Sequence, residues 1–372
     1  MKAKLSAILV GCLLSSGVMA QSSVTLYGVI DEAIRYQSSP TGTGAHGSSV
    51  GLSEGAISGN RFGLRGDEDL GGGTHAIFDL QNGFNAGTGK IDQQGQMFGR
   101  YAWMGLTNPA YGTVKFGRQY GDAFSFDAFV FDAIGGGNIT ATDWELFLVG
   151  CRYDNTVDYA KQFGVFSVDL QHSFGGQPGS ASIGSTSASA LFYNFNGGKA
   201  GIFAQESKDA ESHKLVVGQA GATYGFSRVS LFAYYIYAKR DAGFQVGAAG
   251  TSEALANTNI MNNVTTAYGP QTDDRTDQFI RLGASYSPSP VWKFTVSYAY
   301  DHAKNVAPGR NGELMTLYGI ADYILSKRTD VYVELDESRV SGASATDPNS
   351  PLGTTFGVRQ LFGASLSLRT TF

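Results

Sequence analysis

Residues 362–372 read FGASLSLRTTF. Counted back from the last residue, Phe372, Thr370, Leu368, Leu366, Ala364 and Phe362 form one alternate set. Thr371, Arg369, Ser367, Ser365 and Gly363 form the other. The first set is almost wholly apolar; the second is small, polar or charged. A period of two is a strand with one oily face and one wet face. Chain ends in water are usually frayed and polar, so a large aromatic residue in phase with the oily face is expected to be anchored, with an apolar medium beside it.

The same alternation recurs along the chain. In VWKFTVSYAYDH, Trp292, Phe294, Val296, Tyr298 and Tyr300 oppose Lys293, Thr295, Ser297 and Asp301. In DVYVELDE, Val331, Val333 and Leu335 oppose Asp330, Tyr332, Glu334 and Asp336; in HAIFDLQ, Ala76, Phe78 and Leu80 oppose His75, Asp79 and Gln81. In VSLFAYYIYA both faces are apolar, and the register cannot be read. Sixteen strands are expected, beginning near residues 23, 60, 74, 97, 112, 153, 164, 187, 199, 213, 228, 275, 291, 312, 329 and 360. Seven connections are short. The other eight (37–59, 84–96, 120–152, 175–186, 209–212, 240–274, 304–311 and 341–359) vary, and most are long. That pattern predicts an up-and-down antiparallel meander with one plain end and one elaborate end.

Asp79, Asp169, Arg281, Lys293, Glu334 and Asp336 fall mid-strand on the wet face. Alternation alone does not say which face is inside, but a ring of sixteen strands is too wide for side chains to fill. Bulky aromatics near strand ends on the oily face (Trp103, Trp292, Tyr159 and Phe372) are placed as an interfacial girdle would be. The expectation is an all-β, 16-stranded antiparallel transmembrane barrel with a water-filled lumen. Closure pairs every backbone group, which lipid requires.

Residues 1–20, MKAKLSAILVGCLLSSGVMA, have a basic start, an apolar run and a small residue at Ala20. They read as a secretory signal peptide removed after Ala20, leaving residues 21–372 as the barrel. Leu9-Val10-Gly11-Cys12 is similar to a lipoprotein lipobox. The apolar stretch before Cys12 is short, however, and the apolar run continues beyond it. Removal leaves 352 residues, one cysteine (Cys151) and a net charge of −7. No intrachain disulfide framework and no nucleic-acid partner are expected. Fifty glycines, 24 phenylalanines and 19 tyrosines against 9 prolines suit strands and turns.

SSVTLYGVID, RFGLRGDEDLGGG, AIFDLQNGF, FGRQYG, ADYILSKRTDVY and the terminal Phe, in that order, resemble the general diffusion porins of β-proteobacterial outer membranes. The resemblance implies a homotrimer with one pore per subunit, short periplasmic turns and long extracellular loops. It also implies a third long loop folded into the lumen, and passive diffusion of small hydrophilic solutes and ions. A substrate-selective channel is the alternative. No catalytic residue, metal or cofactor is implied.

The loop in question is 120–152, with a glycine run at 135–137 that permits a tight reversal. Of its carboxylates, Asp127 and Asp132, with Asp122, match the family's acidic side of the constriction by position. Arg61 and Arg65 in NRFGLRGDE, Arg100 in GRYAWMGL and Arg152 in CRYDNTVDY match the basic wall opposite. A field between two such walls would set ion preference. Arg118 shares the parity of Val114 and Phe116 on the oily face, and the resemblance implies a latch to a neighbouring subunit. The last strand resembles an assembly signal, Phe372 with Leu368 and Leu366 behind it, read by the barrel-assembly machinery. Other motifs carry no chemistry here. GTGAHG (residues 42–47) lacks the helix a dinucleotide loop needs. GLSEG (51–55) lacks the strand-turn-helix of a nucleophile elbow, and the five histidines show no ligand spacing.

Overall fold

The structure is a computed structural model that describes residues 22–39, 47–350 and 358–372. The expected signal peptide and the GTGAHG motif lie, wholly or nearly so, outside the described residues. In chain order the first strands are β1 (Ser23–Gln37), β2 (Ser49–Glu54), β3 (Arg61–Asp69), β4 (His75–Gly83), β5 (Tyr101–Asn108) and β6 (Gly112–Tyr120). Then come β7 (Arg152–Phe163), β8 (Phe166–Ser173), β9 (Thr186–Phe195), β10 (Gly198–Lys208), β11 (Lys214–Phe226) and β12 (Val229–Arg240). A two-residue pair, β13 (Thr265–Thr266) and β14 (Gly269–Pro270), forms a small hairpin of its own. The chain closes with β15 (Arg275–Ser289), β16 (Trp292–Ala307), β17 (Arg310–Ile324), β18 (Thr329–Gly342) and β19 (Gln360–Thr371).

Apart from that hairpin, every strand belongs to one antiparallel sheet whose ends meet. β1 pairs with β19 along one edge, with Ile34 opposite Leu366 and Val29 opposite Thr371. Along its other edge it pairs with β2 and then β3. β2 and β3 are therefore one stave in two pieces, and the barrel is closed with sixteen staves. Phe372 completes the seam: its N–H donates to the Gly28 carbonyl and its own carbonyl accepts from the Gly28 N–H, both at 3.1 Å.

The alternation sorts sides as expected. Val24, Leu26, Met104, Val296, Leu335, Leu366 and Leu368 are exposed on the outer face. Near the short turns, aromatic residues touch one another in a belt. Phe166 lies 5.3 Å from Tyr193, Phe195 6.3 Å from Tyr224, and Trp292 4.8 Å from Tyr323. Trp103 does not join this belt. It is paired with Asp79 and Gly117 and lies under the Lys115 ammonium at 5.6 Å, inside the ring.

Two expected loops are shorter than the sequence implied. Residues 49–54 are strand, so the break in the second stave is confined to 55–60. There the chain steps inward. Ser58 donates its N–H to Asp31 at 2.9 Å and Ile57 donates to the Tyr332 hydroxyl at 3.1 Å. Only glycine fits at position 55, because a Cβ there would lie 1.8 Å from the Asp31 carboxylate. At the other site, β16 and β17 run on through the expected loop 304–311 to a tight turn at Pro308-Gly309, with Gly309 at φ +65°.

Candidate functional site

Residues 121–151 join β6 to β7 and pack against inward-facing residues of the ring. The loop starts with α1 (Asp122–Phe124) and a π-helical turn (Ser125–Phe131), and ends with α2 (Thr140–Val149). It reverses at Gly135, Gly136 and Gly137, with φ of +73°, +99° and +89°, a region that favours glycine.

The loop docks on the inner wall of β9–β17. Glycines hollow that wall: a Cβ at Gly201 would come within 2.8 Å of Phe126, and one at Gly221 within 2.4 Å of Phe131. The two rings fill the hollows 4.8 Å apart, and Phe126 packs on Phe192 at 5.3 Å and Phe203 at 5.8 Å. Burying a side chain of this size stabilises by about 1.5–3 kcal/mol. This docking also explains the stretch whose register could not be read. On β12, Leu231, Tyr235 and Tyr237 are exposed, while Tyr234, Ile236 and Ala238 are buried in the core that includes Phe131, Trp144 and Leu148. Both faces are apolar because both are covered with apolar material.

A buried cation fastens the loop. Arg281 meets Asp132 at 3.2 Å and Glu145 at 3.3 Å. It also donates to the Tyr318 hydroxyl at 2.9 Å, to Thr142 at 3.0 Å and to Ser297 at 3.2 Å. Tyr234 donates to Glu145, and Gln219 donates to Asp127 at 2.6 Å. One guanidinium cannot balance three carboxylates in a dry site. Burial pushes Glu145 up to about 8 against the opposing pull of Arg281. Burial first, and then the Glu145 charge, push Asp127 well above the usual carboxylate range.

On its other side the loop leaves an open space of about 760 Å³. Arg61, Arg65, Arg100 and Arg152 all line it, on the β3–β7 side. Arg65 is paired with Asp79 at 2.9 Å. Among the described residues, Arg61, Arg100 and Arg152 are in no ion pair. They are held by neutral oxygens instead. Arg61 donates to the Gly59 carbonyl at 2.9 Å, and Arg100 and Arg152 both donate to the Tyr120 hydroxyl at 2.6 Å. Arg100 also donates to Gln81 at 2.9 Å; Gln81 donates to Tyr27 at 2.7 Å, and Tyr27 to Asp79 at 2.5 Å. A ladder of polar side chains thus fixes the arginines without neutralising them.

Asp122, Asp127 and Asp132 do not line this space. Asp127 is fully buried and Asp132 is turned onto Arg281. Asp122 sits at the loop's root, bonded to Gln171 at 3.1 Å and 3.2 Å. The acidic residues that do line it are Glu54, Asp92 and Asp143. Burial inside the barrel, followed by the Glu54 carboxylate, pushes Asp143 up to about 7. Arg118 stands on a bulge opened by Gly117 at φ +130°. Its guanidinium is engaged within its own chain, by Asp154 at 2.7 Å, the Gly99 carbonyl at 2.8 Å and the Asn257 carbonyl at 3.3 Å.

Sequence reasoning missed Tyr120, the oxygen shared by two arginines. Its position directly before the long loop was the available signal; the bulge at 117–119 hid its inward turn. It also missed Asn138, which ties the loop's bend to the broken stave by donating to Gly55 at 3.0 Å.

A profile of the family described as Gram-negative porin matches residues 6–343. The chain belongs to that family. One relative of this porin, an outer membrane porin of Bordetella pertussis, is 37% identical over 175 residues, covering 43% of this chain and 45% of that one. The porin spans about half the length of each sequence relative it matches. Its fold is similar to the anion-selective porin from Comamonas acidovorans, with a TM-score of 0.73 at 22% identity over 95% of this chain and 100% of that one. It is similar also to the trimer form of OmpT from Vibrio cholerae, with a TM-score of 0.65 at 12% identity over 94% and 99% of the two chains.

Proposed function

We propose that this porin forms a water-filled diffusion channel in the outer membrane of a Gram-negative cell, passing small hydrophilic solutes with a preference for anions. The observation that carries the proposal is the unpaired basic wall: Arg61, Arg100 and Arg152 line the open space without a carboxylate partner, while Asp127 and Asp132 are turned away from it. In a narrow polar passage the local field, more than the net charge of −7 left without residues 1–20, governs which ions enter. Planar-bilayer recording tests the channel itself. Purified protein should produce discrete conductance steps proportional to salt concentration, and a β-rich, correctly folded preparation that gives none would refute it.

The channel is proposed to be a homotrimer, with its short turns in the periplasm and its long loops outside. The outer face supports this. Near the short turns the exposed side chains on β1, β3 and β5 themselves are aliphatic, with Val24, Leu26, Leu64 and Leu106 exposed and the aromatics Tyr111, in the turn after β5, and Phe372, beside β1, next to them; from β7 to β17 they are largely aromatic. Aromatic residues belong at a lipid interface, and the aliphatic sector is free to meet other copies. An SDS-resistant, heat-modifiable trimer is expected; a monomer at all concentrations in mild detergent would overturn it. Export is proposed to use residues 1–20, and assembly the terminal Phe372 with Leu368 and Leu366.

A further inference from the structure

The lipid-facing surface of the short-turn half is uneven. On β15–β18, Ala284, Gly319 and Ala321 stand among larger outward residues and leave an apolar groove of about 410 Å³, flanked by Tyr286, Phe294 and Leu335. A Cβ at Gly319 would meet nothing nearer than the Thr295 carbonyl at 3.9 Å, so the floor is open. At about 30 Å³ for each water- or methylene-sized group, the groove has room for an extended acyl segment. Its foot is marked by Trp292, which stacks on Phe294 at 5.6 Å and touches Tyr323 at 4.8 Å.

Beyond that foot lie two of the short turns. Turn 227–228, which leads into the groove residue Val229, carries Arg228; turn 325–328, between β17 and β18, carries Lys327 and Arg328. All three are exposed, and among the described residues none is in an ion pair. Among the described residues, the Arg228 side chain donates to the Pro288 carbonyl of a neighbouring strand. The contrast is with the end of β3, where Asp67, Glu68 and Asp69 make the same rim acidic. Apolar groove, aromatic foot and unpaired cations thus succeed one another toward the short-turn rim. That is the sequence of acyl chain, interface and phosphate along a glycerophospholipid.

We propose that this groove is a binding site for one glycerophospholipid of the short-turn leaflet. Its acyl chain lies over Ala284, Gly319 and Ala321, and its phosphodiester faces Lys327 and Arg328, on the turn beside the Trp292–Tyr323 foot. The site rests on the reading of the outer face as lipid-exposed. It lies in the aromatic sector, away from the aliphatic sector proposed for contact between copies.

The test uses the full protein reconstituted in vesicles of phosphatidylethanolamine and phosphatidylglycerol at 3:1, then extracted in mild detergent for native mass spectrometry. The wild type should retain one phospholipid per chain, with phosphatidylglycerol enriched several-fold over the vesicle ratio. Gly319→Leu and, separately, Ala321→Phe should cut retention at least tenfold. The double change Lys327→Gln and Arg328→Gln should return the retained lipid to the vesicle ratio. Wild-type retention in both groove variants, or no lipid on the wild type, overturns the proposal. So does loss of the oligomer on filling the groove, which would make a second copy the occupant. Conductance of the same samples separates the two readings. Normal channels without retained lipid refute only the lipid site, and β-rich protein that gives no channels refutes the porin reading.

Discussion

The inner walls of β3–β7 and of β10–β15 are the same kind of surface built to opposite rules. On the first, the inward side chains are Arg61, Gln81, Tyr120 and Arg152, and they face open space. On the second they include Phe203, Val217, Ile236 and Phe279, all 5% exposed or less, because residues 121–151 lie on them. Charge follows cover. Arg281, on the covered wall, is bonded on every side and paired with two carboxylates. The arginines of the open wall keep their charge and share neutral acceptors. Asp127, Asp132 and Glu145 of the loop are spent on fastening it, and of the loop's carboxylates Asp143 alone lines the opening with the basic wall.

Removing the fastening should show the greatest effect. Phe126→Ala with Phe131→Ala loses about 3–5 kcal/mol of packing at each site by the usual scale for buried aromatics. The two rings touch, so the losses will not simply add. The strand ladder is untouched, and a folded barrel of larger single-channel conductance is expected. Conductance and melting temperature equal to wild type would mean that the loop does not depend on this wall.

Arg281→Met probes the same wall through charge. It leaves Asp132 and Glu145 buried without their cation, a loss of about 3–5 kcal/mol for a broken buried pair. The melting temperature should fall well below wild type at pH 8. It should recover in part at pH 5, where both carboxyls take up protons. An unchanged melting temperature at pH 8 would show that the arginine does not clamp the loop.

A smaller effect should come from pH alone. Asp143, at about 7, lines the opening, whereas Glu145, at about 8, is turned away from it. Raising the pH from 6 to 8 ionises Asp143, adds negative charge to the opening and should reduce anion preference. Asp143→Asn should abolish the part of the change centred near 7. Stability should move the same way. Both carboxyls lie above their ordinary 3.8 and 4.5, so the folded chain holds more protons than the unfolded one. Their contribution is greatest below about pH 4 and declines as the pH rises through about 7 to 8. A reversal potential flat between pH 6 and 8 would place Asp143 outside the ion path.

Period two made the barrel legible. A strand exposed to lipid on one side and water on the other, such as 292–301, advertises its register in every residue. Where the loop covers the inner face, as on β12, the alternation of polarity vanishes, and with it the register. Part of the basic wall was legible because Arg61 and Arg65 sit on a regular strand, where parity fixes direction; Arg100 directly precedes β5 and Arg152 opens β7 beyond its register shift, so those two rested on the resemblance. The acidic side was not. Asp127 and Asp132 belong to a helical turn and a bend, whose facing depends on Gly201, Gly221 and Arg281, residues some 70 to 150 positions away in the chain. Arg118 and Tyr120 lie where the β6–β7 register shifts, Arg118 facing two residues of β7, and parity read from a regular strand does not carry across such a bulge.

The reversal potential across a bilayer holding a tenfold potassium chloride gradient addresses the open wall directly. Wild-type protein should show anion preference at pH 6. Changing Arg61, Arg100 and Arg152 together to Ser should move the potential toward cations, since three unpaired positive charges leave while Glu54, Asp92 and Asp143 remain. A potential that does not move in the triple variant would contradict the account.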